Sequence, residues 1–378
     1  MELKYILDRR TFPGDKNEHL LISDFTKILN DDSVKIVVET MGGLHPAYEF
    51  VLDCLNAGKS VVTSNKELVA AKGCELLKIA AEKNVNFLFE ASVGGGIPII
   101  RPIFQCLAAN DINEIAGILN GTTNFILTKM ITDGMSFEEA LRLAQINGYA
   151  ERDPSADVDG FDACRKICIL AALCFGKHVY PDEVYTEGIS KIALADVEYA
   201  ASWGGVIKLL GRAKKLDDGR VNVMVSPAFV QGHSQLAGVD DVFNAILVRG
   251  DAIGDVVFYG RGAGKMPTAS AVVADIIDCA KHMERRKFFG WQESESGYVA
   301  NYLDAETAYY VRVTADDTAA AVAAATETFG NIKLLTRENA PDGEFAFVTG
   351  TDTEKALSDK LAALSGMKVE SFIRITDY

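Results

Sequence analysis

The chain has 378 residues, a length suited to two or three domains, and 48% of them are apolar, enough to fill sizeable cores. Its 38 Lys and Arg stand against 53 Asp and Glu, a formal charge of −15, which argues against nucleic acid or an anionic membrane as the main partner. No apolar run approaches a membrane span, the opening MELKYILDRR does not read as a signal peptide, and seven cysteines at spacings that match no metal-ligand pattern suit a reducing cytosol.

Residues 1–90 alternate short apolar runs with helical patterns. Strands are predicted over 3–7, 34–38, 60–63 and 86–89, with helices over 46–57 and 67–83 between them. Such alternation implies a parallel sheet with crossover helices, which binds ligands beyond the carboxyl ends of its strands. Those ends hold Asp8-Arg9-Arg10, the run from Glu39 to Gly43, Ser64-Asn65-Lys66 and Glu90. An acid with two arginines suits a nucleotide ribose or its 2′-phosphate, although such turns are also common on surfaces. No G-x-G-x-x-G turn precedes residue 90, so the chain begins where the second strand of a dinucleotide fold is expected.

The run EASVGGGIP (90–98) joins this sheet to a new region. Its three glycines free the backbone, so Glu90 and nearby carbonyls suit a hard cation, or the run is a hinge. A helix over 98–108 and a strand over 112–119 follow. Asn120-Gly121-Thr122-Thr123-Asn124 then opens a helix, and its amides and hydroxyls either hold an anion or cap the helix. Ser136 and Glu139 form a capping box.

The stretch 148–174 is the most informative. A loop crowded with Glu151, Asp153, Asp157, Asp159 and Asp162 runs into a helix that is apolar nearly all round from Ile167. Asp162 and Lys166, four residues apart, share one face. A lysine on such a helix either lines a cavity, with a proton to exchange, or forms a structural pair with Asp162.

Next come a helix over 193–202 and strands over 206–210, 221–227, 242–248 and 255–259, the last two read as an antiparallel hairpin. Gly260-Arg261-Gly262-Ala263-Gly264 opens a helix over 267–281, as an anion cradle or as a turn with a cap. A polar stretch over 285–304 reads as a linker. The tail reads strand, helix, strand, strand, helix, strand, the ferredoxin-like βαββαβ plan.

Six stretches together resemble homoserine dehydrogenases: MGGLHPA (41–47), VVTSNKELVA (61–70), EASVGGGIPII (90–100), GILNGTTNFIL (117–127), GYAERDPSADVDGFDACRK (148–166) and GRGAGKMPTASAVVADI (260–276). The resemblance spans nearly the whole chain. It implies a cytoplasmic enzyme that reversibly reduces L-aspartate 4-semialdehyde to L-homoserine with NADP or NAD, in threonine, methionine and isoleucine synthesis. It also implies a homodimer or homotetramer. The expected fold is α/β: a partial Rossmann-type sheet over 1–95, completed by about 260–284, a mixed α/β catalytic and dimerisation domain over 96–259, a linker over 285–304, and a ferredoxin-like, ACT-like domain over 305–378.

By position, the resemblance implies that Lys166 is the catalytic lysine and that Lys66 lies near nicotinamide and substrate. Asp162 orients Lys166 or the reacting oxygen. Glu151 and Asp157 bind substrate, and Gly121 and Thr122, in the turn read above as an anion holder, are further substrate-binding candidates. Gly264 touches cofactor, and Glu90, Val93, Gly95 and Ile97 hold sodium, the last three through carbonyls; Arg9 and Arg10 are cofactor candidates from the residues alone. The run from Ala315 to Ala319 lacks the Pro-Gly turn of ligand-binding ACT domains, so threonine feedback is not expected. The family also opens with a strand and a Gly-rich turn that these residues do not show. The expectation is therefore weak cofactor binding and exposed apolar sheet. The alternative is a non-catalytic amino-acid-binding or regulatory remnant.

Overall fold

A computed structural model describes residues 1–285, 287–376 and 378; Arg286, in the expected linker, and Asp377, in the expected tail domain, lie outside the described residues. Strand β1 (Ile6–Leu7) pairs in parallel with β2 (Leu21–Ile22). After a short helix, α1 (Thr26–Leu29), strands β3 (Ile36–Glu39), β4 (Ser60–Thr63) and β5 (Phe87–Leu88) form a second parallel sheet in that order. Helices α2 (Ala47–Asn56) and α3 (Lys66–Glu82) are its crossovers. The one parallel sheet expected here is therefore two. Apolar runs identify strands but not their neighbours, and no ladder joins β1 to β3 among the described residues. Val38 of β3 keeps 40% of its surface exposed.

The expected helix over 98–108 is mostly a π-type turn, Pro102–Cys106. The amides of Ile99, Ile100 and Arg101 donate to the Glu90 carboxylate, which caps the first turn, and Ile103 N donates to Ile99 O at 3.1 Å; the wider spacing enters from Pro102, whose carbonyl accepts from Leu107 N at 2.9 Å.

The mixed region holds β6 (Ile112–Ile118), α4 (Gly121–Asp133), α5 (Phe137–Ile146), α6 (Ser155–Val158), α7 (Phe161–Phe175), β7 (Tyr185–Thr186), α8 (Leu194–Trp203), β8 (Gly205–Lys215), β9 (Val221–Gln231), β10 (Phe243–Gly250), β11 (Gly254–Arg261) and α9 (Lys265–Lys281). The capping box of Ser136 and Glu139 is formed at α5, and β10 and β11 make the expected hairpin. Helix α7 packs on β6, β8 and β9. Every residue from Asp162 to Leu173 except Arg165 is buried, as its all-round apolar composition demands. Burying each of Ile167, Ile169 and Leu170 contributes about 1.5–3 kcal/mol. The helix stops at Gly176, whose φ of +81° suits the left-handed closing position.

The tail forms β12 (Glu306–Thr314), α10 (Thr318–Phe329), β13 (Lys333–Leu335), β14 (Glu344–Val348), β15 (Asp352–Thr353), α11 (Glu354–Ala363) and β16 (Lys368–Thr376). This is the βαββαβ plan with one small added strand. It is not a separate sheet: Arg374, Ile375 and Thr376 pair in parallel with Ala228, Phe229 and Val230 of β9. One eleven-stranded sheet among the described residues thus runs through both regions. The stretch read as a linker is packed rather than loose. Phe289, Trp291, Tyr298 and Ala300 are buried, and the Trp291 indole donates to His178 Nδ1 at 3.0 Å.

Candidate active site

The carboxyl ends of β3 and β4 face the start of α7 across a cavity of about 320 Å³. Residues 40–43 and 64–67 line one side; Glu151, Asp153, Asp157, Asp162 and Arg165 line the other. Two N-caps aim the key side chains. The Asn65 carboxamide accepts from Leu68 N at 3.0 Å and donates to Gly43 O at 2.7 Å, which makes Lys66 the first residue of α3. The Asn120 carboxamide accepts from Thr123 N at 2.8 Å to start α4.

Asp162 sits between two ammonium groups. Its Oδ1 lies 3.0 Å from Lys66 Nζ and its Oδ2 2.8 Å from Lys166 Nζ. Lys166 also donates to Leu119 O at 2.7 Å. The Asn120 amide donates to Asp162 Oδ2 at 2.9 Å and to Asp157 Oδ1 at 2.7 Å, tying the two acids together. Burial pushes the Asp162 carboxyl up, but Lys166, then Lys66, outweigh it and hold the group below the ordinary carboxylate range. Asp157 shifts the other way. Burial raises it, the Asp162 charge raises it further, and Asn120 and Thr122 offset only part of this. One acid thus stays ionised while its neighbour takes a proton more readily, the kind of contrast found where protons are managed.

The remaining candidates fall into three groups. Glu151 is exposed and lines the cavity. Gly121 and Thr122 lie outside its lining: the Thr122 hydroxyl donates to Tyr149 O at 2.7 Å, and Gly121 packs under Val242 O. Arg9 and Arg10 lie on the exposed turn after β1, outside the cavity lining, with Arg10 clasping Asp8 at 2.9 Å. Gly264 caps α9, also outside the cavity lining. The two glycine runs meet each other. Gly96 N donates to Arg261 O at 2.9 Å, and a Cβ on Gly95 would come within 2.3 Å of Gly262 O. Both Glu90 oxygens accept backbone amides. Asn120 and Arg165 are the site residues that the sequence reading leaves without an individual role. Asn120 carried a signal, as the cap at a strand end; Arg165 carried only its place beside Lys166.

Two family models match the chain: homoserine dehydrogenase over residues 98–277, and the homoserine dehydrogenase NAD-binding domain over residues 1–90. The homoserine dehydrogenase of Pseudomonas aeruginosa is 39% identical over 97% of this chain and 88% of its own length. The chain belongs to the homoserine dehydrogenase family. The Bacillus subtilis homoserine dehydrogenase is 36% identical, covering 96% of this chain and 86% of that protein. The crystal structure of a homoserine dehydrogenase from Thiobacillus denitrificans superposes with a TM-score of 0.85 at 37% identity, covering 96% of this chain and 88% of that one. A hyperthermophilic archaeal homoserine dehydrogenase mutant in complex with NADPH matches with a TM-score of 0.60 at 32% identity, over 68% of this chain and 75% of that one. The chain is accordingly an NAD(P)-dependent oxidoreductase, and the reading as a non-catalytic remnant is not favoured. Among the described residues, no helix is long and apolar enough to cross a membrane.

Proposed function

We propose that the cavity between α3 and α7 is where L-aspartate 4-semialdehyde and L-homoserine interconvert, within threonine, methionine and isoleucine synthesis. The observation that carries this reading is the single carboxylate, Asp162, shared by the Lys66 and Lys166 ammoniums at 3.0 and 2.8 Å. A bound nicotinamide supplies or accepts the hydride. Aldehyde reduction builds negative charge on the carbonyl oxygen, and an ammonium beside it stabilises and protonates that oxygen. Lys166 fits this role because its nitrogen is held from two sides, by Asp162 and Leu119. Asp162, on the cavity wall, ties Lys66 at the cavity edge to Lys166, which lies just behind the lining. Glu151 and Asp157 hold the substrate ammonium, Asn120 braces Asp157 through its 2.7 Å amide bond, and the Gly121-Thr122 turn borders the substrate from behind.

The cofactor residues follow the same logic. Lys66 stands 40% exposed at the cavity edge, beside the open turn at Gly42 and Gly43, so the residues present leave room for a nicotinamide ribose. Gly264 at the start of α9 offers backbone approach. Arg9 and Arg10 suit a 2′-phosphate, while Asp8 beside them suits a free ribose, so both NADP and NAD fit this turn. For sodium, the carbonyls of Val93, Gly95 and Ile97 take no backbone hydrogen bond among the described residues. Hard cations take such oxygens, with Glu90 supplying charge nearby. We place the regulatory role in the ACT-like tail and propose a homodimer or homotetramer built through residues 96–259, in the cytoplasm.

The test is spectrophotometric turnover of L-homoserine with NAD+ and NADP+, alongside Lys166→Ala. Retained turnover in that variant removes Lys166 from its role. A higher unfolding midpoint in sodium than in choline chloride at equal ionic strength supports the cation site, and equal midpoints remove it.

A further inference from the structure

The C-terminal module reaches the acid turn of the active site through one buried side chain. Arg374 of β16 is 2% exposed. Two of its nitrogens bind Glu354 at the start of α11, within the same module. Its third, Nη1, donates to Glu187 Oε2 at 2.5 Å, and its guanidinium lies over the Tyr185 ring, 5.0 Å from the centroid. Glu187 belongs to the other region: it follows β7, and its amide donates to Val225 O of β9 at 2.8 Å.

The residues after Glu187 form the floor of the turn that carries the acids. Ile189 N donates to Val158 O at 2.8 Å. Gly188 lies so close that a Cβ there would come within 2.0 Å of the same carbonyl. Gly160 packs on Thr186 and Val225. Asp157 precedes Val158 directly, and Asp162 lies two residues beyond Gly160. The floor segment from Glu187 to Ile189 has one charged side chain, and Arg374 grips it.

We propose that Arg374, through Glu187, is a positioning residue for substrate binding: it sets the 157–160 turn and so the placement of Asp157 and Asp162. This rests on the assignment of those acids to the substrate. On this view the C-terminal module is part of the frame of the active site. The fork geometry matters, because one guanidinium must satisfy two carboxylates in different directions, which a lysine ammonium does poorly.

Removing Arg374 would strand the buried Glu354 charge and endanger the fold. Glu187→Gln is the informative variant, because Glu187 is 25% exposed and the Arg374–Glu354 pair survives. The expected result is a KM for homoserine raised about 5- to 20-fold, with kcat and the cofactor KM within about twofold. Arg374→Lys should fall between this variant and the parent. Hydrogen exchange needs no turnover, so it separates this proposal from the assignment beneath it. Amides over 156–164 should exchange faster in Glu187→Gln, while those of α4 and α5 stay as in the parent. Unchanged exchange over 156–164 would overturn the proposal. So would a rise in homoserine KM matched by equal losses in kcat and cofactor binding.

Discussion

Lys166 and Lys66 address the same carboxylate from opposite oxygens, yet their surroundings differ. The Lys166 side chain is 9% exposed, on a helix buried almost throughout, and a second acceptor fixes its nitrogen. The Lys66 side chain is 40% exposed, at the first residue of a helix on the three-stranded parallel sheet, with Asp162 as its ion-pair partner. An ammonium locked from two sides is organised before substrate arrives, and preorganisation is what stabilises developing charge. A half-exposed one has freedom to turn toward whatever enters. On the proposed reading, proton transfer falls to the α7 side and adaptable contact to the α3 side.

Three substitutions break or sharpen that contrast. Lys166→Ala should lower kcat by about 10³-fold, the range of a lost general acid with its electrostatic help. The fold should survive, with far-ultraviolet circular dichroism unchanged. A loss no greater than that of Lys66→Ala would erase the distinction. Asp162→Asn should cost about 10²-fold in kcat, because two ammoniums then face each other without the charge that aims them. Lys66→Ala should cost about 10-fold, mostly in the KM values rather than kcat, as expected of an interaction made in ground and transition state alike. Steady-state kinetics in both substrates separates these patterns.

The α7 half of this comparison was largely legible in the sequence, and the frame behind it was not. An apolar surface on every side of a helix, an acid and a lysine one turn apart, and an N-cap at a strand end are local patterns. They placed Lys166, Asp162 and the Asn120 loop. The carboxyl ends of β3 and β4 were also legible, and they do line the cavity. Pairing between distant strands leaves no such local trace, so the merger of β16 with β9 and the split between β1 and β3 were invisible. The same holds for Glu187, which resembles any acid after a short strand until Arg374, 187 residues later, is placed against it. The stretch over 98–108 does start as a helix, capped by Glu90, but its bonds widen to the π type from Pro102, a change of spacing that the apolar pattern does not record.

An effect no larger than that of Lys66→Ala reads the acids directly. Burial first, and the Asp162 charge second, raise Asp157 above the ordinary carboxylate value. Binding a substrate ammonium needs its anion, so kcat/KM for homoserine should fall as pH drops through this raised value. Asp157→Asn should remove that acid limb and raise KM by about 10-fold, in keeping with a lost charge-assisted hydrogen bond. Stability should respond with the opposite sign. A carboxyl raised on folding binds its proton more tightly in the native state, so its contribution is full below the unfolded value and is lost as pH rises through the folded one. Above that folded value the Asp157 anion is held at a cost, so Asp157→Asn should there raise the unfolding midpoint while weakening substrate binding. Homoserine should in turn stabilise the parent more than the variant, since its ammonium relieves that buried charge. A variant that loses both stability and affinity would instead mark Asp157 as a bracing group, with the substrate ammonium left to Glu151.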